Sequence, residues 1–214
     1  MPDPASQYRI LREAIPAPVR VIAVSKKQSI AAIEQVYAAG CRDFGENYLQ
    51  EALLKIRQLQ PLQIHWHFLG SIQSNKVKDI AQYFDEIHSV DRVEIVQKLN
   101  AVCARLQKVM PVFIQVNLNR EPQKSGVLPE DLPAVIQAIQ TCSQLALQGL
   151  MLIPAVGQLG AFAELSALRD RLTLQEGIAL PRLSMGMSAD YSVALAEAAT
   201  DLRLGEIIFG QRHA

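Results

Sequence analysis

Val19-Arg20-Val21-Ile22-Ala23-Val24-Ser25-Lys26-Lys27, followed by Ile30, Ile33, Val36 and Tyr37 and closed by Gly40, sets the pattern for the whole chain. A short apolar run bounded by polar residues reads as a strand buried on both faces. The spacing of three and four that follows reads as an amphipathic helix, and Gly40 falls where a helix C-cap favours a left-handed residue. One strand, one helix and a turn make a unit that must pair with further copies of itself to hide its apolar edges.

Further units follow as far as Phe209. Strands are expected at residues 43–45, 64–69, 86–90, 110–116, 147–153, 182–185 and 201–204. Helices are expected at residues 46–59, stopped by Pro61, near 75–83, and from Asp91 through Ile95, Leu99, Val102 and Leu106. Asp91 and Glu94, three residues on, have capping-box spacing. Pro129 opens a helix carrying Leu132, Val135, Ile136 and Ile139 inward; Phe162, Leu165, Leu168 and Leu172 mark another, and residues 189–199 a last one.

Eight strands alternating with helices call for a parallel sheet with helical crossovers. An open doubly wound sheet uses the same parts, but the first strand is not followed by G-x-G-x-x-G. Eight units in 214 residues favour a closed (β/α)₈ TIM barrel, whose usual length is about 250. Residues 4–16 form an extra N-terminal helix that plugs or flanks it, and residues 1–214 read as one domain.

Composition narrows the function. Half of the residues are hydrophobic, and Lys plus Arg equals Asp plus Glu at 21 each. A balanced charge disfavours a protein that coats nucleic acid or an anionic membrane. Cys41, Cys103 and Cys142 lack the C-x-x-C spacing of metal or redox sites and read as buried thiols. No basic segment followed by an apolar run opens the chain, and no stretch reaches membrane-span length, so a cytoplasmic location is expected.

In a parallel barrel, chemistry sits where strands end. Those positions here are Ser25-Lys26-Lys27, Phe44 to Asn47, Gly70-Ser71, Asn117, Met151, Ser184 to Ser188 and Arg203 to Gly205. A lysine at the end of a doubly buried strand can be held neutral by desolvation, and the neutral amine attacks carbonyls. Successive side chains alternate, so only one of Lys26 and Lys27 faces the barrel mouth. Both can instead simply reach solvent.

Arg203-Leu204-Gly205-Glu206 and the upstream Ser188 form the second group. Loops after strands seven and eight often bind phosphate in this fold. Gly205 admits an anion close to the backbone, the N–H groups of Gly205 and Glu206 can donate to it, and Ser184 and Ser188 add hydroxyls. The plainer reading is a tight turn with Ser188 as N-cap of the helix at Ala189.

These segments resemble the pyridoxal phosphate homeostasis protein family, whose fold is the alanine racemase N-terminal barrel. The matching stretches are residues 23–26, 44–51, 66–70, 72–76, 183–190, and 203–205 with 208–210, in order along the chain. The resemblance implies that Lys26 carries pyridoxal 5′-phosphate (PLP) as a Schiff base. It also implies that Ser188, Gly205 and Glu206 surround the phosphate, that Arg203 faces the pyridine nitrogen, and that Asn47 and Met185 line the pocket. Lys27-Gln28-Ser29 stands where Thr-Lys-Pro is usual, Ser71 where His is frequent, and Glu206 where Thr is common. A carboxylate at Glu206 repels phosphate, leaving its backbone N–H as the donor.

An arginine at the ring nitrogen disfavours the pyridinium form that makes PLP a strong electron sink. Racemases on this barrel add a second domain and a dimer partner, for which 214 residues leave no room. The expectation is therefore a monomeric, non-catalytic PLP carrier in vitamin B6 homeostasis, with PLP-dependent apoenzymes as recipients. A small amino acid racemase and a Schiff-base aldolase are the alternatives. His65 and His67 share a strand face, but no third metal ligand of matching placement is apparent, so a structural role is expected.

Overall fold

The computed structural model describes residues 3–121 and 123–210. Eight parallel strands close into a barrel in sequence order, β8 pairing back onto β1. They are β1 (Arg20–Val24), β2 (Asp43–Glu46), β3 (His65–Phe68), β4 (Glu86–Val90), β5 (Met110–Val116), β6 (Leu145–Leu152), β7 (Arg182–Ser184) and β8 (Asp201–Leu204). The helices between them are α2 (Ile30–Ala38), α3 (Leu49–Gln58), α4 (Val77–Tyr83), α5 (Val93–Arg105), α6 (Leu132–Gln140), α7 (Ala161–Glu176) and α8 (Tyr191–Ala196), and α9 (Glu206–Phe209) follows β8. The expected (β/α)₈ barrel is what forms.

The helix α1 (Pro4–Ala14) flanks the barrel, burying Tyr8 and Leu11 against the core and packing beside α2 and α9. Asp3 caps its N-terminus, and Arg12 ties its far end to the carbonyls of Ile15, Pro16 and Val19. Outward-facing strand residues such as Val21, Ala23, Phe44, Trp66, Phe68, Ile114 and Leu183 meet the helices and make the apolar layer. Cys41 and Cys103 are buried there as free thiols, burial pushing Cys41 up to about 12, whereas Cys142 is only half-buried.

Several local expectations give way. The α5 helix begins one residue later than the capping box requires: Arg92 is its N-cap, Asp91 accepts from Arg92, and Glu94 turns to Ser74 and Lys98. Pro133, not Pro129, occupies the first turn of α6. The helix expected over residues 189–199 shortens to α8, because Asp190 accepts the Met187 N–H and folds that stretch into a turn first.

The largest departure lies inside the barrel. The first strand's apolar run predicts an apolar filling, yet the inward positions at the N-terminal end of the strands carry Arg20, Asp43, His65, Glu86, Arg182 and Asp201. Glu86 on β4 accepts from Arg20 on β1 at 2.5 Å and from Arg182 on β7 at 2.6 Å. Those strands are not neighbours, so the bonds cross the barrel interior. Arg182 also forks onto Asp201 and lies 4.8 Å above the Phe113 ring. Burial alone would push the Glu86 carboxyl up; the His65 hydrogen bond and the Arg182 field outweigh it and hold it well below the usual carboxylate range.

Gly149 shows how tightly the wall is drawn. A Cβ there would run into the carbonyl oxygen of Arg182 on β7, main chain that cannot swing aside. Gly149→Ala is expected to cost about 3 kcal/mol or more in urea denaturation, the upper end of overpacking. Glu86→Gln is expected to cost about 2 kcal/mol at neutral pH, because it removes the buried charge that two half-buried guanidiniums share while leaving them Asp201 and Asp43. The folded pKa of Glu86 lies below its unfolded value, so its stabilisation is present above pH ~4.3 and lost as pH falls toward the folded pKa. Melting curves from pH 7 to 3 should be steeper for wild type than for Glu86→Gln.

Candidate functional site

A cavity of about 330 Å³ opens at the C-terminal mouth of the barrel, within the common range for small-molecule sites. Lys26, Asn47, Ser188, Arg203, Gly205 and Glu206 all line it, as the sequence predicted, together with Val24, Leu69, Met151, Ile153 and Met187. Met185 does not. Ser184 points into the barrel, so strand alternation turns Met185 outward into the apolar layer, and Met187 and Met151 take its place at the cavity.

The choice between the two lysines is made by the backbone. Lys27 adopts φ +62°, a left-handed turn that sends its side chain to an exposed groove with Gln28, Glu51 and Gln58. Lys26 is half-buried in the cavity wall. A second polar network, outside the barrel, fixes this turn. Lys55 of α3 donates to the Ser25 carbonyl at 2.6 Å, to Glu46 at 2.8 Å and to Glu51 at 2.6 Å. Ser25 Oγ donates to Glu46 at 2.6 Å, and the Lys27 N–H donates to Glu51. Burial raises the Glu46 carboxyl, opposed by Lys55, and its Oε2 is buried without a hydrogen-bond partner.

On the far wall, Ser188 is not the N-cap of a following helix. Its Oγ accepts the N–H groups of Gly205 at 3.3 Å and Ile207 at 3.1 Å, stitching the β7 loop to the start of α9. With both lone pairs engaged, the hydroxyl hydrogen is left to donate to an anion. Glu206 is exposed at this rim, so its carboxylate can turn to water.

Arg203 forms the cavity floor. It is buried, donates to Ser184 Oγ at 2.9 Å and to the Leu152 carbonyl at 2.8 Å, and makes no ion pair among the described residues. Burial pushes it down to about 10, with Asp190 and Asp201 pulling the other way. Asn47 Oδ1 is a further buried atom without a partner in the wall. A lysine amine, a hydroxyl with its hydrogen left to donate and an arginine with donors to spare around one cavity fit a phosphorylated pyridine aldehyde, although the Gly205 N–H that the sequence offered to the anion is spent on Ser188.

The histidines were under-read. His67 and His88 are fully buried, and Asp43, His65 and His67, like His67, Glu86 and His88, bring donor atoms within 4.8 Å of one another. A third ligand does therefore exist in space. Arg20 and Arg182, however, already saturate Glu86, and Arg20 sits 3.8 Å from Asp43. Fixed cations in those positions oppose a metal ion.

The family model for the alanine racemase N-terminal domain matches residues 5–213. The pyridoxal phosphate homeostasis protein of Pseudomonas aeruginosa is 46% identical over 202 residues, covering 92% of this chain and 86% of that one. Its Synechocystis counterpart is 41% identical over 214 residues, covering 97% and 98%. The structure of PipY from Synechococcus elongatus with PLP bound superposes with a TM-score of 0.91 at 38% identity, covering 97% of this chain and 100% of that one. An alanine racemase of Clostridium difficile shares the fold at TM-score 0.82 and 12% identity, this chain spanning 60% of it.

Lys55→Met keeps the bulk of the stem but leaves Glu46, Glu51 and the Ser25 carbonyl without their shared donor. A loss of about 3 kcal/mol is expected in urea denaturation. Combining Lys55→Met with Glu46→Gln should recover part of that loss, since it removes the stranded carboxylate.

Proposed function

The chain belongs to the pyridoxal phosphate homeostasis protein family, built on the alanine racemase N-terminal domain; on that premise we propose that it holds PLP on Lys26 and serves vitamin B6 and amino acid homeostasis as a carrier. The observation that carries this reading is that Lys26 and Arg203 share one cavity with the Ser188–Gly205 cradle. Lys26 Nζ would hold the aldehyde as a Schiff base. Ser188 and the backbone around Gly205 would hold the phosphate, and Arg203 would donate to the pyridine nitrogen, with Asn47 beside the ring.

Bound PLP supplies an electron sink for chemistry at an amino acid α-carbon. What this chain does to that capacity is restrain it. A guanidinium can only donate, so it keeps the ring nitrogen an acceptor rather than a protonated pyridinium. Among the described cavity-lining residues, the ionisable side chains are Lys26, Arg203 and Glu206, and Glu206 is at the exposed phosphate rim. A ring nitrogen held as an acceptor by Arg203 supports a role without strong catalysis of its own.

The same reading places the protein in the cytoplasm as a monomer, with PLP-dependent apoenzymes as recipients. Among the described residues, no helix is long and apolar enough to cross a membrane.

The test is chemical. Borohydride treatment of PLP-loaded protein should fix the cofactor on the peptide containing Lys26, and Lys26→Ala should abolish the adduct while leaving the melting temperature close to wild type. A covalent adduct surviving in Lys26→Ala, or none forming in wild type, would overturn the assignment. Racemisation of L- or D-alanine by the loaded protein, followed by optical rotation, should stay at the rate of free PLP.

A further inference from the structure

Below the cavity floor, four side chains continue where Arg203 ends. Ser184 Oγ is 2.8 Å from His88 Nδ1, His88 Nε2 is 3.0 Å from His67 Nδ1, and His67 Nε2 is 2.9 Å from Asp43 Oδ1. With the Arg203–Ser184 bond at 2.9 Å, this is an unbroken line through the barrel interior, from the ligand cavity to the solvent-touched carboxylate at the other end.

The line has a direction. Asp43 is held below the usual carboxylate range despite its burial, chiefly by the hydrogen bond from His67, so it only accepts. His67 must therefore carry its hydrogen on Nε2. Burial drives His67 below the usual imidazole range and His88 well below it, so each ring is neutral with one hydrogen. His67 Nδ1 is then an acceptor, and it takes the hydrogen of His88 Nε2. His88 Nδ1 is left to accept from Ser184, whose oxygen accepts from Arg203. Every donor and acceptor is used once, in one sense.

Neighbouring groups bear on the order. Glu86 lies 3.5 Å from His67 Nδ1, farther than His88, and is engaged by Arg20 and Arg182. Arg20 faces Asp43 at 3.8 Å, and His65 packs edge-on to His67 at 4.7 Å. Phe113 stacks on His88 at 4.3 Å and fixes its plane. Hydrogen bonds in such a chain polarise one another, so the far carboxylate strengthens the acceptor that Arg203 meets.

We propose that Asp43, His67, His88 and Ser184 are positioning residues forming a one-way hydrogen-bond relay that orients Arg203 and sets how strongly it donates to the ring nitrogen of the bound cofactor. The relay rests on the PLP reading only for that last contact; its internal order is a property of the protein alone.

The experiment therefore has two arms. Nitrogen-15 spectra of the imidazoles, with and without PLP, should show both buried rings neutral with hydrogen on Nε2 in wild type and in Asp43→Glu. In Asp43→Asn the amide can turn its NH2 to His67, in which case both rings should switch to Nδ1 together, or its Oδ1, in which case both should stay on Nε2. The second arm uses PLP labelled with nitrogen-15 in the ring. Its resonance should shift in Asp43→Asn and in His88→Phe, a change that keeps the stacking on Phe113, while borohydride still traps the cofactor on Lys26.

A ring charged or protonated on Nδ1 in wild type overturns the relay, as does one ring switching in Asp43→Asn while the other keeps its tautomer. An unmoved cofactor resonance in both variants, with the Lys26 adduct intact, also overturns it and returns the histidines to a purely structural role. If Asp43→Asn does not fold, the wild-type tautomers and His88→Phe decide. Failure of wild type to take up PLP refutes the carrier reading instead, and the imidazole spectra then decide the relay by themselves.

Discussion

Two guanidiniums, Arg20 and Arg182, converge on one buried carboxylate, Glu86, inside the closed barrel. Moving an ion from water into a protein interior costs several kcal/mol even after relaxation, so such a cluster persists only if its charges are matched and its hydrogen bonds filled. Asp201 and Asp43 provide the matching, and strands from all around the barrel are obliged to hold one register to do so. An apolar filling would tolerate sliding; a filling of crossed ion pairs does not. The polar layer above it, from His67 to Arg203, inherits that register.

Two networks thus approach the cavity from opposite sides of the barrel wall. The inner one ends at Arg203. The outer one, centred on Lys55, ends at the turn that carries Lys26. Each holds a group that, on the proposed reading, meets the same small molecule, one at its aldehyde and one at its ring. Ser188, pinned by the N–H groups of Gly205 and Ile207, fixes the third point. Two loop residues, Lys26 and Ser188, and one strand residue, Arg203 on β8, would then define position and tilt for a flat ligand.

The barrel was legible from sequence because doubly buried strands and amphipathic helices differ in period, and eight alternations leave little choice of topology. Six of the seven expected site residues line one cavity for a related reason: strand ends are recognisable. Met185 failed by one position, which in a strand reverses the face. The polar interior was not legible. Arg20, Glu86, Arg182 and Asp201 stand at strand starts, where a charged residue reads as the solvated edge of a loop, and only the inward turn of a closed barrel brings them together. His67 and His88 looked isolated because 21 residues separate them in the chain. Glu46 and Lys55 lay within reach of a sharper reading, since a charged pair nine apart straddling a strand end and a helix can meet behind the strand.

The Lys55 ammonium has three hydrogens and spends each of them on a different partner, one a main-chain carbonyl and two carboxylates. None of those partners belongs to a ligand. The turn bearing Lys26 is consequently shaped before anything arrives and stays shaped after it leaves, so loading asks for little ordering of the chain. If Lys26 holds PLP as proposed, release would turn on an incoming amine exchanging with a stationary Lys26 amine at the same carbon rather than on the opening of a gate.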